Sequence, residues 1–193
     1  MMLLVTGASG VGKSTVRRLI AEELAPEVRA VELTQIAGPP TYERGWRQRA
    51  VEEVVQVALA EQEAGRRLLL AGDPVPPGEI LAAPSADRLD GFAACLLDCE
   101  PEEQERRLRE RGDAEELFLH HLAFAEWMRG HARDPRHRLE VIDAGWEEMR
   151  RGRLVPRGHR RWLRIRSAPA FSRWSTVAGR GQTWAWRARP SWR

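Results

Sequence analysis

The segment GASGVGKS, residues 7–14, constrains the fold more than any other part of this 193-residue chain. An apolar run, MLLVT, precedes it. The stretch KSTVRRLIAEELA follows and places Val16, Leu19, Ile20 and Leu24 on one helical face. Glycines leave the backbone free to curl between two such elements. This succession of an apolar run, a glycine-rich segment and an amphipathic stretch predicts a buried strand, a tight glycine loop and an amphipathic helix.

The spacing of this segment is G-x-x-x-x-G-K-[ST], the pattern of a phosphate-binding loop. Successive backbone N–H groups and the positive end of the helix dipole can surround an anion there. Lys13 is the only lysine among 31 basic residues, and a glycine turn without a ligand would need no lysine. We expect Lys13 to bridge the β- and γ-phosphates of ATP and Ser14 to bind Mg²⁺. The predicted nucleotide-binding residues of the loop are Gly7, Ala8, Ser9, Gly10, Val11, Gly12, Lys13, Ser14 and Thr15.

The remainder of the chain alternates between short apolar runs and longer amphipathic stretches. Such alternation is typical of a parallel sheet covered by helices on both faces. We therefore predict an α/β fold of three layers, αβα, with five parallel strands. The predicted strands are residues 2–6, 28–34, 67–74, 92–99 and 138–143, and the predicted helices are residues 13–25, 43–65, 100–112 and 114–132.

The composition changes after Glu148, the last acidic residue of the sequence. Beyond it lie 13 arginines and five of the eight tryptophans. We predict a folded domain over residues 1–149 and an Arg/Trp-rich tail over residues 150–193. A tail of this composition can bind RNA, single-stranded DNA or an anionic membrane. A disordered or loosely attached extension is the interpretation that the composition favours.

The two cysteines, Cys95 and Cys99, predict a reduced environment. Four residues apart in a predicted strand, they are too distant for an easy disulfide. There is no second pair of cysteines to complete a metal site. No apolar run approaches the roughly 18 residues needed to span a bilayer. We therefore expect a cytoplasmic protein with no membrane span.

The segment TGASGVGKST after an apolar strand, in a chain of this size and layout, resembles the small P-loop kinases. These form the nucleoside-monophosphate-kinase-like group, which includes adenylate, shikimate and gluconate kinases. The resemblance covers residues 1–149. It implies phosphoryl transfer from ATP, with Mg²⁺, to a small-molecule acceptor, and a nucleotide- or nucleoside-like acceptor is favoured. The guanine-reading motif N-K-x-D of GTPases is excluded because the sequence contains no asparagine.

Three further residues are candidates for the chemistry. Asp73 follows an apolar strand, where α/β folds place functional groups, and is a candidate to hold Mg²⁺ or accept a proton. A turn aspartate before Pro74 is the alternative. The run ERRLRERG resembles the start of the lid in small kinases, which implies that Arg107 lies on the adenine side and Arg111 reaches the transferring phosphate. The predicted catalytic residues are Lys13, Asp73 and Arg111, and the predicted metal ligands are Ser14 and Asp73.

The acceptor is expected near the start of the helix predicted over residues 43–65. Aromatic faces and cations there suit a ring that carries an anion, although a plain surface role is equally consistent with them. The segment AGDPVPPGE stands where adenylate kinases have an arginine-containing motif, so a different small-molecule kinase is favoured. The predicted substrate residues are Arg44, Trp46 and Arg47, with Tyr42 beside them.

The remaining expectations concern the C-terminal half. By resemblance, residues 143–146 border the adenine. Arg129 and Arg133, four apart on a predicted helix, are further candidate lid arginines. An alternative function uses the basic tail: an ATP-binding protein that interacts with nucleic acid. A third hypothesis is a P-loop ATPase without an acceptor.

Overall fold

The computed structural model describes residues 1–41, 43, 45–134, 137–138, 147, 172–174 and 183–188. Over these residues the chain forms an α/β structure, in which helices pack against a central sheet. The expected fold class, α/β with a parallel sheet, is confirmed at this level.

Four strands run parallel in the order β2-β3-β1-β4. In the centre of the sheet, Leu4 of β1 lies opposite Leu70 of β3 and Ala94 of β4. Because parallel strands end at the same edge, the loop after β1 lies beside the segments that follow β3 and β4. The strands are β1 (Met2–Thr6), β2 (Val28–Val31), β3 (Arg67–Ala71) and β4 (Phe92–Leu96).

Next to β4 the sheet contains a strand of opposite direction where a fifth parallel strand was expected. This strand, β6 (Thr183–Ala188), pairs antiparallel with β4, and β5 (Ser172–Trp174) pairs antiparallel with β6. The prediction of five parallel strands is therefore wrong. A segment from the C-terminal part of the chain covers the edge of β4 that a fifth parallel strand would need. The predicted strand over residues 138–143 lies outside the described residues, except for Arg138, which is in a turn.

The helices of the described residues differ from the predicted ones mainly in short segments. The strand predicted over residues 28–34 ends at Val31, and a short helix follows it. A second short helix begins in the segment AGDPVPPGE, at Pro77, where we predicted no helix. No helix in the described ranges is long and apolar enough to cross a membrane. The helices are α1 (Lys13–Glu23), α2 (Leu33–Ala37), α3 (Trp46–Glu63), α4 (Pro77–Ala82), α5 (Pro101–Arg111) and α6 (Phe118–Arg133).

The sheet divides the apolar side chains between its two faces, as the alternation of side chains along a strand requires. One face packs against α3, whose Val54 and Val55 are fully buried together with Leu4 and Leu70. The other face, which includes Val5, packs against α1. Both ends of the glycine loop, at β1 and at α1, are therefore fixed by the core. The division of the chain at residues 149 and 150 stays a prediction.

Candidate functional site

The glycine loop joins β1 to α1 through backbone conformations that favour glycine. Gly7, Gly10 and Gly12 have positive φ angles of 144°, 85° and 99°. A Cβ atom at Gly7 would lie 2.4 Å from the carbonyl oxygen of Leu97, so no other residue fits there without a shift of the backbone. Gly12 is the left-handed residue at which α1 begins. The loop path therefore depends on the glycines that the motif supplies.

Lys13 crosses the loop from the first turn of α1. Its Nζ donates a hydrogen bond to the carbonyl oxygen of Ala8 at 2.7 Å, and only 5% of the residue is exposed. Burial lowers the pKa of Lys13 to about 8. The charges of Asp73 and Glu32 oppose that change, and the charge of Arg111 adds to it. These three groups thus lie close enough to the ammonium for their charges to act on it.

Ser14 and Thr15 follow Lys13 on the first turn of α1, and both are exposed. No acidic side chain lies in this turn, so the helix end keeps its positive character. Ser14 directly follows Lys13 at the end of the loop, so its hydroxyl lies next in the chain to the buried ammonium. This position agrees with the predicted metal ligand, whose role stays a prediction.

Asp73 lies just beyond β3, at the same edge of the sheet as the glycine loop. Its Oδ2 accepts a hydrogen bond of 2.6 Å from the backbone N–H of Leu33, at the start of α2. This bond fixes the carboxylate between the ends of β2 and β3. Asp73 therefore has a structural partner as well as a position that suits the predicted catalytic role.

Glu32 is a candidate that the sequence reasoning missed. It follows β2 directly, and its Oε1 accepts a hydrogen bond of 3.1 Å from Nε of Arg17. Its side chain lies against Gly72, where a Cβ atom would come within 2.5 Å of Glu32 Cγ. The signal was present in the sequence, since Glu32 directly follows the stretch VRAV, whose apolar residues alternate with a polar one. The strand predicted over residues 28–34 contains Glu32, so the prediction does not place Glu32 at the edge of the sheet.

The two predicted lid arginines occupy different positions on α5. Nη1 of Arg107 lies 3.5 Å from the carbonyl oxygen of Gly10, and its Nε donates to Oε1 of Glu103 at 2.6 Å. Arg111, at the end of the helix, donates through Nε to Oδ1 of Asp113 at 2.7 Å and also contacts Oδ2 of Asp113 through Nη2. Arg107 thus contacts the glycine loop directly, while a carboxylate holds Arg111, whose charge acts on Lys13.

The predicted acceptor residues are largely engaged within the protein. Arg47 donates through Nε to both oxygens of Glu79, at 3.0 and 2.8 Å, and through Nη2 to the carbonyl oxygen of Pro74 at 2.7 Å. Burial raises the pKa of Glu79, and the Arg47 guanidinium opposes that rise. Trp46 packs against the core at the start of α3. Arg44 and Tyr42 lie outside the described residues.

The other predicted residues of the C-terminal half have separate positions. Arg129 donates through Nη1 to Oδ1 of Asp98 at 2.9 Å, in a pair that is mostly buried. This bond ties α6 to the segment after β4. Residues 143–146, predicted to border the adenine, lie outside the described residues. Among the residues that the structure describes, no cluster of histidine, cysteine and acidic side chains could hold a metal ion by itself.

No protein-family model matches the chain, and no curated protein matches its sequence. Among solved structures, a chain of the Pnkp1/Rnl/Hen1 RNA repair complex is similar over 66% of this chain, with a TM-score of 0.53 and 14% identity. This chain spans 44% of that chain, less than half of its length. A gluconokinase from Sinorhizobium meliloti 1021 aligns with 78% of this chain and 91% of its own, with a TM-score of 0.46 and 18% identity. The likeness to a chain of the repair complex shows a shared fold alone.

Proposed function

We propose that this chain is a phosphotransferase that moves the γ-phosphoryl group of ATP to a small-molecule acceptor, for which a nucleotide- or nucleoside-like molecule is favoured. One observation carries the proposal. The buried ammonium of Lys13 contacts the glycine loop at the carbonyl oxygen of Ala8, and the charges of two carboxylates, Asp73 and Glu32, act on the same ammonium. Phosphoryl transfer depends mainly on such positioning and on charge stabilisation.

The residues at the edge of the sheet fit a magnesium ion. The hydroxyl of Ser14 is exposed beside the loop, and the carboxylate of Asp73 is fixed at the adjoining strand end. Hydroxyl and carboxylate oxygens are the ligands that Mg²⁺ prefers. Ser14 and Asp73 would hold the ion, and when bound it neutralises part of the charge of the phosphates.

The protein groups divide the remaining work. The loop N–H groups and Lys13 bind the phosphates, and Arg111 stabilises the charge spread over the transferring group. The acceptor hydroxyl oxygen forms a bond to the γ-phosphorus while the bond to the β,γ-bridging oxygen breaks and ADP leaves. The hydroxyl proton passes to a carboxylate, for which Asp73 and Glu32 are the candidates.

The test is the release of ADP from Mg-ATP by the full chain, measured against a panel of nucleosides, nucleoside monophosphates and sugar acids. The variant Lys13→Ala serves as the blank. We expect one class of acceptor to raise turnover many-fold, and the increase to be lost in the blank. Equal turnover with every acceptor and with none would contradict the proposal and favour a simple ATPase.

A second candidate function is favoured by the sequence of the tail. Thirteen arginines and no carboxylate follow Glu148, a composition that suits contact with nucleic acid phosphates. If this function holds, single-stranded RNA binds the full chain with an affinity that falls steeply with salt. No RNA binding, or an affinity that does not change with salt, would contradict this function.

A further inference from the structure

Gln104 is a polar side chain in an apolar place. It lies on the second turn of α5 and is fully buried, with 0% of its surface exposed. Glutamine is seldom buried to this degree unless its amide has partners. Its Nε2 donates to the carbonyl oxygen of Ser9 at 2.8 Å and lies 3.5 Å from the carbonyl oxygen of His121 on α6. One amide therefore touches both the glycine loop and α6.

The orientation of this amide is fixed by its neighbours. Both carbonyl oxygens can only accept hydrogen bonds, so Nε2 has to face them. The amide oxygen Oε1 then points away and is buried without a hydrogen-bond partner among the described residues. An unpartnered buried acceptor lowers the stability of the folded state. A glutamine is therefore costly at this position on the side of Oε1, and the shorter hydrogen bond of its amide goes to the glycine loop.

The contact with Ser9 has a consequence for the loop. In a trans peptide unit, the C=O and the N–H point in opposite directions. When Gln104 holds the carbonyl of Ser9 toward α5, the N–H of Gly10 in the same peptide unit points away from α5. Nη1 of Arg107, 3.5 Å from the carbonyl oxygen of Gly10, acts in the same sense on the N–H of Val11.

Lys13 holds a different carbonyl of the loop. Its ammonium contacts the carbonyl oxygen of Ala8, one residue before Ser9. The loop therefore presents one carbonyl to the ammonium and the next two to α5. Because the carbonyls of Ser9 and Gly10 are both held toward α5, the N–H groups of Gly10 and Val11 point to a common side, the arrangement that binds an anion. Gly10 itself leaves no spare room, because a Cβ atom there would lie 3.3 Å from Leu108 and 3.4 Å from Gln104.

We propose that Gln104 is a positioning residue, which holds the glycine loop from the α5 side so that the N–H groups of Gly10 and Val11 face a bound phosphate. The inference rests on the proposed function, since it assumes that the loop binds a nucleotide. Gln104 acts through the loop backbone and does not touch the nucleotide. It also joins the loop to α6, so both elements meet at one buried amide.

The first test replaces the amide by an apolar side chain of similar length, Gln104→Met, in the full chain. Binding of Mg-ADP is measured by calorimetry, and thermal unfolding is measured without nucleotide. We expect affinity to fall about five- to tenfold, the value of one hydrogen bond. The unfolding temperature should change little, since the variant removes both the unpartnered Oε1 and the hydrogen bond to the Ser9 carbonyl. Ile80→Val, which trims a fully buried side chain of α4 away from the loop, is the matched control and should keep the affinity.

The second test, Gln104→Glu, keeps the shape and makes the donor depend on pH. A protonated glutamic acid can donate its O–H to the Ser9 carbonyl, whereas the carboxylate cannot. Relative to wild type at each pH, its affinity should be close to normal at low pH and fall as pH rises. Gln104→Met should show a constant deficit over the same range.

The outcomes separate the two hypotheses. If wild type binds Mg-ADP, Lys13→Ala does not, and Gln104→Met binds as tightly as wild type, the positioning role is wrong and the proposed function stands. If wild type binds no nucleotide, or binds it equally well without Lys13, the proposed function fails and the inference fails with it. If Gln104→Met does not fold, a pH-independent affinity of Gln104→Glu equal to that of wild type overturns the inference.

Discussion

Lys13, on the phosphate side of the candidate site, and Arg47, on the acceptor side, have different partners. On the phosphate side, the ammonium of Lys13 contacts a neutral carbonyl, and its charge is opposed mainly by burial. On the acceptor side, Arg47 is matched by both oxygens of Glu79. The phosphate side therefore presents a positive charge to a ligand, whereas an anionic acceptor would have to compete with a carboxylate for Arg47.

Removing the phosphate-side cation should have the largest effect. In Lys13→Ala, we expect phosphoryl transfer to fall by about a thousandfold, because the loop loses the charge that stabilises the transferring group. The fold should persist, since burial of this ammonium opposes its charged form. ADP release and thermal unfolding are the measurements. Activity within tenfold of wild type would contradict the role of Lys13.

Arg111 should come next. We expect Arg111→Ala to lower kcat by about a hundredfold with a smaller change in the KM for ATP, because the guanidinium acts mainly on developing charge. Asp113→Asn, which loosens the hold on Arg111, should have a weaker effect in the same direction. Arg106→Ala is the matched control, because this exposed arginine of α5 pairs with Glu103 and Glu110 and has no role in the proposed transfer. Equal losses of kcat in Arg106→Ala and Arg111→Ala would contradict the role assigned to Arg111.

Arg47→Ala should act on stability more than on the acceptor. The variant leaves the carboxylate of Glu79 without its partner, and we expect the free energy of unfolding to fall by about 2 kcal/mol, as for a partly exposed ion pair. Denaturant unfolding measures this, with Arg18→Ala on the exposed face of α1 as the control. Unchanged stability with a raised KM for the acceptor would instead support the substrate role predicted for Arg47.

The smallest effect concerns pH. Burial lowers the pKa of Lys13 to about 8, so its ammonium is mostly protonated at about pH 7 and mostly neutral at about pH 9. A bound phosphate favours the protonated form, and we expect nucleotide affinity to weaken about tenfold as pH rises across this range. Lys13→Arg, whose guanidinium stays protonated, should lack the dependence. A flat profile in wild type would show that the charge of Lys13 does not contribute to binding.

Local features of the fold could be predicted from the sequence, and long-range ones could not. The glycine loop depends on residues within one short segment, and β1 occurs where the apolar run predicts it. The prediction of a fifth parallel strand was wrong because the strand that pairs with β4 comes from a part of the chain almost ninety residues further on. The short helices α2 and α4 were missed because five or six residues show no clear helical period.

The same limit applies to the candidate site. The bond from Leu33 to Asp73 joins residues 40 positions apart, and the pair of Arg47 and Glu79 spans 32 positions. No pattern along the chain indicates which arginine is matched by a carboxylate and which is not. Gln104 looks like one polar residue of a charged helix until its burial beside Ser9 is known.

The buried lysine also makes the chain a reporter of its own occupancy. Lys13 carries the only side-chain primary amine in the sequence, and with a pKa of about 8 a larger part of it is uncharged than in an ordinary lysine. Uncharged amines are the nucleophiles that acylating reagents modify. A small acylating reagent would therefore add one internal mass tag, at the glycine loop. A bound polyphosphate, which covers the amine and favours its protonated form, should block that tag, so mass spectrometry of the intact chain would count filled sites directly.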